Sequence, residues 1–120
     1  MQKINGSMIE LTRGDSLNLN LSLQSEDGSA YEFKTGDKII FSVYNKNKMS
    51  DPAILSKTFI VNQNGESFDL VFTSDETRFG PYINKPVNYW YEIELNDEFT
   101  VVGYDEFGPK ILKLFPEGNK

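Results

Sequence analysis

The sequence predicts an all-β domain: a two-sheet antiparallel sandwich of about eight short strands. Three observations predict it. Apolar residues recur at every second position in four separate segments, within 17–23, 39–43, 67–72 and 87–95. Nine Phe, six Tyr and one Trp supply large side chains for a core. Clusters of Gly, Asp, Asn and Ser punctuate the chain between the alternating segments. With 120 residues the chain is one domain by length, taken as 8–116. Such a domain can bury roughly two-thirds of its extended surface without a disulfide or metal.

The elements follow in order. Residues 8–11 read as a short first strand at a sheet edge, after a vector-like leader at 1–7. Arg13-Gly14-Asp15 reads as a turn, although the same triplet is an adhesion motif when a loop displays it. Leu17, Leu19, Leu21 and Leu23 alternate with Asn18, Asn20 and Ser22, the period of a half-buried strand. Asp27-Gly28 makes the next turn, and 30–33 a short return strand. In 38–44, Ile39, Phe41 and Val43 share one face and Ile40, Ser42 and Tyr44 the other. Residues 54–61 are β-branched and aromatic, but Leu55, Phe59 and Val61 compete with Ile54 and Ile60 for the buried face. Asn64-Gly65 favours a hairpin into 67–72, where Phe68, Leu70 and Phe72 alternate.

A change of character follows. Thr73 or Ser74 can cap one short helical turn near 74–79, which Gly80-Pro81 stops. Residues 87–95 form the longest alternation and the central strand, with Tyr89, Tyr91 and Ile93 inward and Trp90, Glu92 and Glu94 on the opposite side. Strands at 99–103 and 111–115 complete the set, and 117–120 read as a flexible tail. The expected core holds Leu19, Leu21, Phe41, Val43, Phe68, Leu70, Tyr89, Tyr91, Ile93 and Val101.

The chemistry expected is that of a non-enzyme. The chain has no His and no Cys, which removes the usual general base, the thiol nucleophile and the commonest metal ligands. No phosphate-binding glycine loop and no Ser-x-x-Lys spacing occur. No catalytic residue, cofactor or metal ligand is assigned. Glu92 and Glu94 are the remaining carboxylate pair, about 7 Å apart along one strand face. A glycan-acting enzyme would need such a pair across a cleft, so a solvated face is the stronger reading. Asp97, Glu98, Asp105 and Glu106 have the oxygen chemistry of a calcium site but match no calcium loop, and solvated turns are expected.

A net charge of −6 opposes nucleic acid and anionic lipid as partners. No apolar run approaches the length of a membrane-spanning helix, and no signal-peptide core is visible. Trp90, Tyr44 and Ile40 are the candidate interface residues, an aromatic and aliphatic patch that, if it faces outward, suits a protein neighbour or, as the alternative, a sugar ring. With the face assignment inverted, Trp90 is core, and alternation alone does not choose between the two. The polar 45–52 loop is a second candidate contact.

Taken together, "IELTRGDSLNLNLSL" at 9–23 and "DGSAYEFKTGDKIIFSV" at 27–43 resemble N-terminal domains of bacteriophage baseplate and tail proteins. They are similar to that of the baseplate upper protein from phages of Gram-positive bacteria. "FDLVFTSDETRFGP" at 68–81 and "VNYWYEIEL" at 87–95 resemble the same family's later strand, helical turn and strand. The resemblance covers nearly all of 9–115, and related domains occur in prophages and gut bacterial proteins. It implies an Ig-like β-sandwich that serves as a structural assembly module of a virion. Other tail subunits, or further copies of the chain in the assembly, would be its partners, and it hands over no catalytic residue.

Overall fold

The computed structural model describes residues 2–5, 8–24, 27–45, 52–102 and 110–117, without the side chains of 2–5, 99, 101 and 102. The alternating segments all contain strands. The strands are β1 (Gln2–Asn5), β2 (Met8–Thr12), β3 (Leu17–Leu21), β4 (Lys38–Asn45), β5 (Leu55–Ile60), β6 (Phe68–Phe72), β7 (Val87–Leu95), β8 (Phe99–Val102) and β9 (Lys110–Phe115).

They form an all-β fold of two sheets. The larger runs β1-β2-β9-β7-β4-β5, with β8 also paired to β7, and the smaller is the pair β3-β6. The expected purely antiparallel pattern fails at one place. β2 and β9 pair in parallel, Ile9 opposite Leu112 and Leu11 opposite Leu114. A parallel pair needs a long crossover, and here every strand from β3 to β8 lies in sequence between the two partners. The same pairing corrects a second expectation. Residues 8–11 are not an edge, because β1 pairs on their other side.

One face of the larger sheet is the core face. Ile9, Leu11, Ile39, Phe41, Val43, Tyr89, Tyr91, Ile93, Leu95, Leu112 and Leu114 are buried on it, against Leu17, Leu19, Leu70 and Phe72 of β3 and β6. Phe41 stacks on Tyr91 at 5.5 Å and meets Phe72 edge-on at 5.1 Å. Leu21 and Phe68, expected in the core, form the last rung of the smaller sheet and are half-buried. Val101 lies outside the residues whose side chains are described.

The ambiguous segment resolves with an inward lysine. Leu55, Lys57 and Phe59 oppose Val43, Phe41 and Ile39, while Ile60 is 56% exposed. Lys57 reaches past the Phe59 and Phe72 rings, 5.2 and 5.4 Å from their centroids, and its ammonium donates to the Val71 carbonyl and to Glu76. An inward charge on a sheet-edge strand discourages pairing with a foreign strand.

One expected strand and one expected hairpin turn are absent. Residues 30–33 form no strand. Ala30 bridges Gln24 and Phe33 bridges Gly65, one rung each. Asn64-Gly65 closes no hairpin, because β5 and β6 lie in different sheets. Gly65 instead exchanges both backbone hydrogen bonds with Phe33, at 2.7 and 3.1 Å.

The segment expected to be helical is a turn over 74–77, closed by Thr77 N–H to the Thr73 carbonyl at 3.2 Å. Its start has the reciprocal form of a helix cap. Thr73 N–H donates to Glu76 Oε1 at 2.7 Å, and Glu76 N–H donates to Thr73 Oγ1 at 3.2 Å. The geometry expected at a helix N-terminus is therefore present, while Gly80 at φ +72° and Pro81 follow too closely for a helix to extend.

Truncating a core side chain that joins the sheets should open a cavity. Leu19→Ala and Tyr91→Ala are each expected to lower the urea-unfolding free energy by about 2–4 kcal/mol. The exposed Ile60→Thr should stay within about 0.5 kcal/mol.

Candidate functional site

β7 is flanked on both sides, so its outward residues sit in the middle of the larger sheet. In register across it, Tyr44 of β4 lies opposite Trp90, and Trp90 opposite Ile111 of β9. All three are half-buried. They make an aromatic and aliphatic row across three adjacent strands, on the face turned away from β3 and β6. Trp90 thus points away from the core face, a choice of side that alternation leaves open. Ile40 is on the same face but four residues along β4, opposite Glu94, with the Ser42–Glu92 rung between it and the aromatic pair. The structure therefore brings Trp90 and Tyr44 together and leaves Ile40 at the edge of the patch.

Ile111 completes the row. Its signal was in the sequence, since Leu112 and Leu114 claim the inner face and place Ile111, Lys113 and Phe115 outside. The Lys113 ammonium lies 5.4 Å from the Phe115 ring centroid, and Glu10 is opposite Lys113. The patch is thus apolar at its centre and charged at its rim, the usual anatomy of a protein interface.

Glu92 and Glu94 project from neighbouring outward positions of one strand, so they do not flank a cleft. The Tyr44 hydroxyl donates to Glu92 Oε1 at 3.1 Å. Burial, and then the Glu92 charge, push that hydroxyl above its ordinary pKa. Among the described residues no group of three His, Cys, Asp or Glu side chains is placed to hold a metal ion. Asp97 pairs with Lys38 in the β7–β8 turn, where Asn96 and Asp97 take φ 56° and 60° and Glu98 N–H bonds the Leu95 carbonyl. That is the mirror-image turn of tight hairpins, which Asn and Asp tolerate. Asp105 and Glu106, and residues 46–51 of the candidate contact loop, lie outside the described residues.

The Arg-Gly-Asp triplet is tied into the fold. Gly14 takes φ +88°, and a Cβ there would meet the Arg78 guanidinium at 3.1 Å. Gly14 N–H donates to the buried Thr77 hydroxyl at 3.0 Å, which donates in turn to the Asp15 carbonyl at 2.8 Å. Arg13 donates to Glu117 and to the Arg78 carbonyl, both at 3.1 Å. Its side chain is only 13% exposed, so it is not displayed as adhesion requires. Glu117 also accepts from Arg78 at 3.2 Å, and this contact first, with Arg13 beside it, holds its carboxyl below the usual range. Residues 118–120 lie outside the described set.

No helix of the described residues is long and apolar enough to cross a membrane. Comparison with protein-family models, with curated proteins and with solved structures finds no match to this chain.

The Tyr44–Glu92 contact makes a signed prediction. Removing the carboxylate charge makes the phenol easier to ionise, so Glu92→Gln should lower the Tyr44 pKa toward its ordinary value. A ¹³C-tyrosine NMR titration reads this directly, and an unmoved Tyr44 resonance would mean that the contact is not made.

Proposed function

We propose that this chain is a non-catalytic assembly module of the phage-tail or baseplate kind, an Ig-like sandwich that docks on another protein through the outer face of its larger sheet. Strand order supports the fold half of this reading. An Ig sandwich sets strands G, F, C and C′ in one sheet against B and E in the other. Here β9-β7-β4-β5 stands against β3-β6, which follows that order.

The observation that carries the docking half is the Tyr44–Trp90–Ile111 row. Aromatic side chains at a patch centre are the usual anchors of a protein interface, and charged rims add orientation. Glu10, Glu92 and Glu94 lie on this face, and the whole chain is acidic. The partner is therefore a subunit with a basic patch, whose approach is fastest at low salt. The sequence has no His or Cys, and of the carboxylate pair weighed as a catalytic base, Glu92 is engaged by Tyr44 on an open face.

The chain is to be co-expressed with the proteins encoded beside its gene, captured, and sized by light scattering. At least one neighbour is expected to bind at micromolar concentration. Because Trp90 is the only tryptophan, its emission should shift to the blue as the partner covers it. No neighbour binding, with the chain monomeric at high concentration, would leave a spacer without a docking surface.

A further inference from the structure

We propose that an open polar groove beside β6 binds a neutral carbohydrate. The groove encloses about 500 Å³ and is lined by Asn62, Gln63, Asn64, Ser67, Phe68 and Asp69. It lies where the chain crosses between the sheets, so it is separate from the Trp90 face and does not depend on the docking proposal.

The lining selects the ligand class. Pockets for apolar ligands of this size are lined mainly by hydrophobic side chains with few polar groups. Here five of the six lining residues carry an amide, a hydroxyl or a carboxylate. No Lys or Arg lines it, and the chain is net acidic, which disfavours a phosphate or sulfate ester. The amide and hydroxyl oxygens of the lining are neutral, and one carboxylate supplies little charge to hold a divalent cation against its own hydration. What remains is a ligand with many neutral donors and acceptors close together, and adjacent hydroxyls on a sugar ring have that arrangement. Amides and a carboxylate can donate to and accept from such pairs.

Two of the groups are held in place. Asn64 Oδ1 accepts from Thr35 N–H at 2.8 Å and from Thr35 Oγ1 at 3.0 Å, so its amide nitrogen is left to donate. Asp69 Oδ1 accepts from Asn20 Nδ2 at 2.8 Å, which leaves its second oxygen to accept. Groups already held lose little freedom on binding, which raises affinity. Asn62 and Gln63 complete the set of donors and acceptors, and they are exposed, as are Asn64, Ser67 and Asp69.

The probes are maltotriose, N,N′-diacetylchitobiose and galactobiose, followed by saturation-transfer NMR and titration of the full chain. At least one is expected to bind with Kd on the order of 1 mM or tighter. The double substitution Asn62→Ala/Gln63→Ala removes two exposed side chains and should leave the melting temperature unchanged. It is expected to weaken binding at least about tenfold. Asp69→Asn keeps an acceptor for Asn20 and should also weaken binding, whereas Trp90→Ala should not. No saturation transfer from any of the three at about 10 mM, or binding that survives the double substitution and is lost in Trp90→Ala, would overturn the proposal.

Discussion

The fold depends on one aromatic run that crosses between the sheets. Phe41 sits on β4 between β5 and β7, stacked on Tyr91 and edge-on to Phe72 of the smaller sheet. From Phe72 the contacts pass to Phe59, Phe68, Phe33 and Tyr31. Each such pair contributes about 0.5–1.5 kcal/mol beyond the area it buries. A chain without Cys has no covalent tie between its sheets, so this run and the aliphatic residues beside it hold β3 and β6 on the larger sheet. Because the inner face supplies the core, the outer face is left to other work.

Polar contacts close one end of the domain. Thr77 joins the 13–15 turn to the 74–77 turn, and Glu117 draws Arg13 and Arg78 together. The parallel pairing of β2 with β9 brings these segments to the same place: Arg13 N–H bonds the Phe115 carbonyl directly after the last rung. This explains why a triplet that reads as an adhesion motif serves here as an anchored turn of the scaffold. Its glycine is needed for a positive φ against a guanidinium, and its arginine is spent on internal acceptors.

Much of this was legible in the sequence, for a physical reason. A strand with one buried face must alternate, so β3, β4, β6 and β7 announced themselves. Alternation set Trp90 opposite Tyr89 and Tyr91 but did not say which of the two faces is buried. Local pattern carries no information about which strand lies beside which. The parallel β2–β9 pair, and the placing of β5 and β6 in different sheets, therefore had no signature. Asn64-Gly65 favours a hairpin locally, but Phe33 takes both of the glycine's backbone groups and makes it a crossover instead. Lys57 shows the limit of hydrophobic patterning. Its stem and charge occupy an inward position because a carbonyl, a carboxylate and two ring faces meet there, and all of these but the Phe59 ring come from residues 71–76, far from Lys57 in sequence. The polar groove was hidden for the same reason, since Asn20 and Thr35 reach it only in the folded chain.

The central claim is that folding and docking use opposite faces of one sheet. The most direct test is the triple substitution Ile40→Thr/Tyr44→Ser/Trp90→Ser, examined by urea unfolding and by capture of the partner found for the unaltered chain. The account predicts a cooperative unfolding transition that loses no more than about 2 kcal/mol, the scale of cross-strand pairs on a solvated face, together with loss of the partner. A chain that no longer folds, or one that folds and still holds the partner, would contradict it.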